Sequence, residues 1–144
     1  GYLLSELYQV KEEYDKSEAI LKQISPDYLT PLALLEVNYL QKRYEKVISD
    51  SNNPSTDTNE NAAKEMYRAM ALRETGNFDG AFLLLDEIVK SRTLDKALTF
   101  RSRYERALTY LKQGDKKSAL ADFQFIYAKD SEYLDVKEEI AKLK

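Results

Sequence analysis

A helical rhythm that breaks at regular intervals is the strongest constraint in this sequence. Phe78, Ala81, Phe82, Leu85 and Ile88 recur at the three-and-four spacing that lines one side of a helix. Leu83, Leu84 and Val89 add apolar surface outside that stripe, as in a helix packed between neighbours. Ala119, Leu120, Phe123, Ile126 and Tyr127 repeat the pattern over 115–128. The stops are equally regular. Gly76-Asn77 and Gly114-Asp115 each follow a helical run, where a residue free to take positive φ closes a helix. Thr30-Pro31 reads as an N-cap followed by proline in the first turn. Asp57 with Glu60 reads as a capping box. Asp130-Ser131 ahead of Glu132 opens a last helix with Tyr133, Val136, Ile140 and Leu143 as its seam. The spacing predicts helices over 2–12, 15–24, 31–42, 44–50, 58–75, 78–90, 94–113, 115–128 and 132–143. With only 4 Gly and 3 Pro, a many-turned β fold has little to work with. The expected class is all-α, and 144 residues make one domain.

Four of the turns superpose: Lys11-Glu12-Glu13-Tyr14, Gln41-Lys42-Arg43-Tyr44, Thr75-Gly76-Asn77-Phe78 and Gln113-Gly114-Asp115-Lys116. Their last residues stand 30, 34 and 38 positions apart, which averages to the tetratricopeptide period of about 34. The family pattern W-x2-L-G-x2-Y followed by A-x3-F can be laid on each unit. Small residues (Ser5, Ala69, Ala107, then Ser17, Ala81, Ala119) fall where paired helices approach closely. Large apolar residues (Leu21, Leu85, Phe123) follow four positions later on the same face. The chain departs from the pattern in having no Trp, in carrying Arg68 and Arg106 where Leu is expected, and in a weak second unit whose second helix runs into the polar 51–57 connection. On these residues the chain resembles the tetratricopeptide repeat (TPR) family. The resemblance implies an α-solenoid of about four antiparallel helix pairs, over 1–26, 28–57, 58–92 and 94–130, with a capping helix at 132–143.

The side chains available limit the chemistry. No His and no Cys occur, which removes the usual general base, the Ser-His-Asp triad, thiol nucleophiles and thiolate metal ligands. Glu12-Glu13 and Glu138-Glu139 are adjacent on helices, and adjacent helical positions do not face each other. The glycines are too dispersed for a phosphate loop. No catalysis, cofactor or metal is therefore expected. The net charge is −3, yet residues 90–117 carry nine bases against three acids. That stretch reads as a solvated helix face, since an acidic chain lacks the footprint of a nucleic-acid binder. The longest uncharged apolar candidate, Tyr28 to Leu35, is eight residues and contains Pro31, short of the ~18 needed to span a membrane. The chain opens Gly1-Tyr2 rather than with Met, which reads as a piece of a longer protein. The compartment stays open.

The resemblance implies that the first helix of each pair faces a concave groove that holds a partner. By position that gives Tyr2, Leu3, Glu6 and Gln9, then Leu32, Ala33, Glu36 and Tyr39. The later units supply Met66, Tyr67, Met70 and Arg73, then Arg101, Tyr104, Glu105 and Leu108. The candidate partner-binding residues are Tyr39, Met66, Tyr67, Met70, Arg73, Arg101, Tyr104 and Leu108, because Tyr and Met suit adaptable contact surfaces. Some family members clamp a C-terminal carboxylate with Lys and Asn. The corresponding positions here are Gln9, Glu36, Met70 and Leu108, which favours an apolar or amphipathic peptide or helix. The expected function is a non-catalytic scaffold or adaptor that binds a protein or peptide partner. The alternatives are a single-stranded RNA-binding helical repeat, opposed by Glu6, Glu36 and Glu105 in the groove, or self-association into a homo-oligomer.

Overall fold

Seven helices and no strand make up the described residues, 31–51 and 58–144 of the computed structural model. They are α1 (Pro31–Leu40), α2 (Tyr44–Asp50), α3 (Asn59–Glu74), α4 (Phe78–Val89), α5 (Lys96–Gln113), α6 (Lys116–Lys129) and α7 (Val136–Leu143). The all-α class is the one the periodicity demands. The first expected unit, 1–26, with Tyr2, Leu3, Glu6 and Gln9, lies outside the described residues, as does Asp57.

The three hairpin turns share one backbone. The N–H groups of Arg43, Asn77 and Asp115 donate to the carbonyls of Asn38, Leu72 and Tyr110 at 2.9, 2.8 and 2.9 Å. One residue earlier, Lys42, Gly76 and Gly114 donate to Tyr39, Arg73 and Leu111 at 2.9, 3.0 and 3.0 Å. These three residues are left-handed, with φ of 64°, 90° and 91°. This is the Schellman closure, which satisfies two of the carbonyls a helix leaves open. Glycine adopts it freely, whereas Lys42 does so against the clash of its own Cβ. Caps then restart the chain. The Asn77 side chain accepts from the Gly80 N–H at 2.9 Å, and Asp115 accepts from the Ser118 N–H at 3.0 Å.

Two local expectations change. The side chain that caps α3 is Thr58, which accepts from the Asn61 N–H at 3.1 Å. The last helix starts at Val136 rather than Glu132. Asp130 accepts the Glu132 N–H in a local turn, and Leu134 is left-handed with φ 44°, so the helix cannot begin before it. Tyr133 is thereby turned toward Phe100 and Tyr104, with ring centroids 5.9 and 6.4 Å away.

Helices pack only on near neighbours along the chain. α1 meets α2 and α3, α3 meets α4 and α5, and α5 meets α6; α2 meets α3, α4 meets α5, and α6 meets α7. Among the described residues no Cα of α2 comes within 8 Å of one in α4, and none of α4 within 8 Å of one in α6. Ala69, Ala81, Ala107 and Ala119 are fully buried, as close helix approach requires. Leu85 and Phe123, four residues after an alanine, are fully buried in two separate apolar clusters. Each such side chain contributes roughly 1.5–3 kcal/mol by leaving water. Val136, Ile140 and Leu143 of α7 cover the second cluster.

Arg68 and Arg106 have specific partners where an apolar residue is expected. Arg68 donates to the Ile48 carbonyl near the end of α2, at 3.1 Å. Arg106 grips Asp122 of α6 through two nitrogens at 2.9 and 2.7 Å, and Asp86 of α4 at 2.9 Å. Both arginines thus reach back to the second helix of the preceding hairpin.

Candidate functional site

The first helices α1, α3 and α5 bring a chain of charged and phenolic groups together. Tyr39 and Arg73 each stand five residues before the start of the following helix, Tyr44 or Phe78. Because their hairpins superpose, one helical register places both at the same level. The Arg73 guanidinium donates from Nη2 to the Tyr39 hydroxyl at 2.7 Å and from Nη1 to Glu105 Oε1 at 2.7 Å. Its Nε donates to Glu74 Oε2 at 2.8 Å. The second Glu105 oxygen accepts from Arg101 Nε at 2.8 Å. Glu74 also accepts from Lys112 Nζ at 3.0 Å.

Burial makes this network consequential. The Arg73 and Glu105 side chains are only 4% and 3% exposed, so neither charge could stand there alone. Burial opposes the charged form of Arg73, but Glu105 beside it outweighs that and holds its pKa above the usual arginine range. Burial pushes the Tyr39 phenol up to about 12, against the pull of Arg73. Burial would also raise Glu74. The hydrogen bonds from Arg73 and Lys112 more than offset it and hold the carboxyl below its ordinary range.

In the middle of α5, beside Glu105, the Tyr104 hydroxyl donates to Asp135, just before α7. The Tyr104 ring sits edge-on to Phe123, centroids 5.7 Å apart. Burial and the bond to Asp135 both raise the Tyr104 phenol.

The structure sorts the candidate partner-binding residues into two groups. Met66, Tyr67 and Met70 are buried in the first apolar cluster, and Arg73 is buried in the ion network. Tyr39, Tyr104 and Leu108 are partly buried beside the clusters. The Arg101 side chain keeps 40% of its surface. Leu32, Ala33 and Glu36 of α1 are also partly open. Lys112, one turn beyond Leu108 on α5, is 49% exposed and extends the accessible line. Sequence reasoning passed over Glu74 and Lys112. The sign that could have found them is register: each lies one residue beyond a position equivalent to Tyr39.

Chemically, the cluster is saturated rather than reactive. Glu105 is held by two arginines and Glu74 by an arginine and a lysine, so neither is poised as a base. Among the described residues no three metal-ligating side chains converge, and no helix is long and apolar enough to cross a membrane. No protein-family model matches the chain, and no curated protein matches it significantly.

Proposed function

We propose that the chain is a TPR-like α-solenoid acting as a non-catalytic protein-interaction module, a scaffold or adaptor segment that takes a peptide or helix of a partner on its first-helix face. One observation carries the reading. First helices approach closely in series, α1 to α3 to α5, while among the described residues the backbones of the second helices α2, α4 and α6 stay more than 8 Å apart, Cα to Cα. A row of hairpins closer along one side than the other curves toward that side, and the inner wall of such a curve is the extended concave surface repeat proteins use. The Tyr39–Arg73–Glu105–Arg101 network ties that wall together across three helices. Surface for a partner comes from Arg101, Leu108 and Lys112 along α5, with Tyr39 and Glu36 on α1. The mixture of apolar and charged groups suits an amphipathic segment.

Two measurements test this. A compact 144-residue globule has a radius of gyration of about 14–15 Å; small-angle scattering should return a larger value. Panning a random-peptide library on the immobilised chain should yield a peptide that binds Arg101→Gln and Leu108→Ala about tenfold more weakly, with both variants folded by circular dichroism. A globular radius, or a selected peptide indifferent to both substitutions, ends the proposal.

A further inference from the structure

Away from the first-helix face, a cleft of about 330 Å³ opens between the end of α4, the start of α5 and the end of α6. Its rim carries Arg92, Lys96, Arg103 and Lys129, and no carboxylate lines it. Half-buried Val89, Leu94 and Phe100 form its apolar floor, and the more exposed Phe125 borders it. Arg92, Lys96 and Lys129 make no ion pair among the described residues. Arg103 spends one nitrogen on Asp122 at 3.2 Å and stacks on the Phe125 ring at 3.7 Å. Lys129 Nζ lies 5.7 Å from the same ring. Phe125 therefore gathers two like charges against one aromatic side chain, although it remains 39% exposed. Arg92, Lys96 and Lys129 thus bring three positive charges without a carboxylate partner to one cleft, and an anion entering among them is attracted by all three.

We propose that this cleft is a second binding site, for a short acidic peptide segment of a partner protein whose carboxylates flank an apolar side chain. The proposal is independent of the first-helix groove. The rim supplies partners for carboxylates, with Arg92 and Arg103 able to bind them in bidentate fashion. The floor supplies a seat for the side chain between them, which a bare inorganic anion would leave unused. A polynucleotide fits worse. Residues outside 90–117 sum to a charge of −9, so a strand running beyond the cleft meets repulsion. Asp95 and Asp130 are neighbours of lining residues in sequence but do not line the cleft themselves.

The probe is a fluorescein-labelled peptide, Asp-Glu-Leu-Glu-Asp, titrated by anisotropy at low salt with the full chain. Saturable binding with Kd below about 1 mM is expected. Arg92→Ala with Lys96→Ala changes two exposed side chains and should weaken it about tenfold while the circular dichroism spectrum stays unchanged. The amide peptide Asn-Gln-Leu-Gln-Asn should bind at least as poorly as the acidic peptide does to that variant. Asp-Glu-Gly-Glu-Asp should bind more weakly than the leucine peptide. The proposal is overturned by an absence of saturable binding, by equal affinity for the amide peptide or the double variant, or by a glycine peptide as tight as the leucine peptide. Oligouridylate binding more tightly than the peptide also overturns it, in favour of a nucleic-acid surface.

Discussion

Replacing Arg73 with Met tests the ion network directly. Met keeps much of the aliphatic length and removes the guanidinium. Glu105, 3% exposed, would lose its 2.7 Å partner and keep only Arg101 on its other oxygen. The Tyr39 hydroxyl would lose a donor, and Glu74 would retain Lys112. Breaking one side of a buried pair costs about 3–5 kcal/mol. Arg101 holds the value near the lower end, so about 3 kcal/mol is expected. For a chain of this size that lowers the melting temperature by about 10 °C. Glu105→Gln alone should cost less, because Arg73 keeps Glu74 and Tyr39 as partners. The double variant should be more stable than the sum of the two losses implies by about 1–2 kcal/mol, since it leaves no stranded carboxylate. Urea unfolding followed by circular dichroism, with an unchanged m-value, measures all three. Strict additivity, or a loss below about 1 kcal/mol for Arg73→Met, would refute the claim that the pair is mutually dependent.

Two other expectations rest on single residues. Lys42 occupies the left-handed position that glycine fills in the next two turns, at φ 64°. Lys42→Gly should therefore raise stability by about 1 kcal/mol and Gly114→Ala lower it by about as much, read by the same unfolding assay. Glu74 is held below the ordinary carboxylate range by Arg73 and Lys112 despite its burial. Its stabilisation is complete above the unfolded value of about 4.3 and disappears as pH falls through the lower folded value. Glu74→Gln should accordingly flatten the acid side of the stability-versus-pH curve, and an unchanged acid slope would contradict the assignment.

Helices were legible where their causes are local. The apolar stripe at 78–88 and the stops at Gly76-Asn77 and Gly114-Asp115 act within one or two turns of chain. They determine φ and hydrogen bonding without help from distant residues. The last helix starts four residues later than its composition suggests, where a local turn and a packing contact far along the chain coincide. Glu132 has the composition of a helix start, yet Tyr133 is turned toward Phe100 and Tyr104, and Leu134 between it and α7 is left-handed.

The candidate site divides along the same line. Sequence spacing identified Met66, Tyr67, Met70 and Arg73 as neighbours of one helix face. It could not say that this face is largely covered, because the cover comes from residues elsewhere in the chain. Arg73 meets Tyr39 and Glu105, which are 34 and 32 residues away. The sequence by itself determined that the described chain is a set of helices joined by equivalent turns, because backbone sterics and apolar periodicity act at short range. Tertiary structure decided which charges are buried in pairs and which are left around a cleft. Desolvation and Coulomb attraction depend on distances through space, and those exist only once the helices have packed.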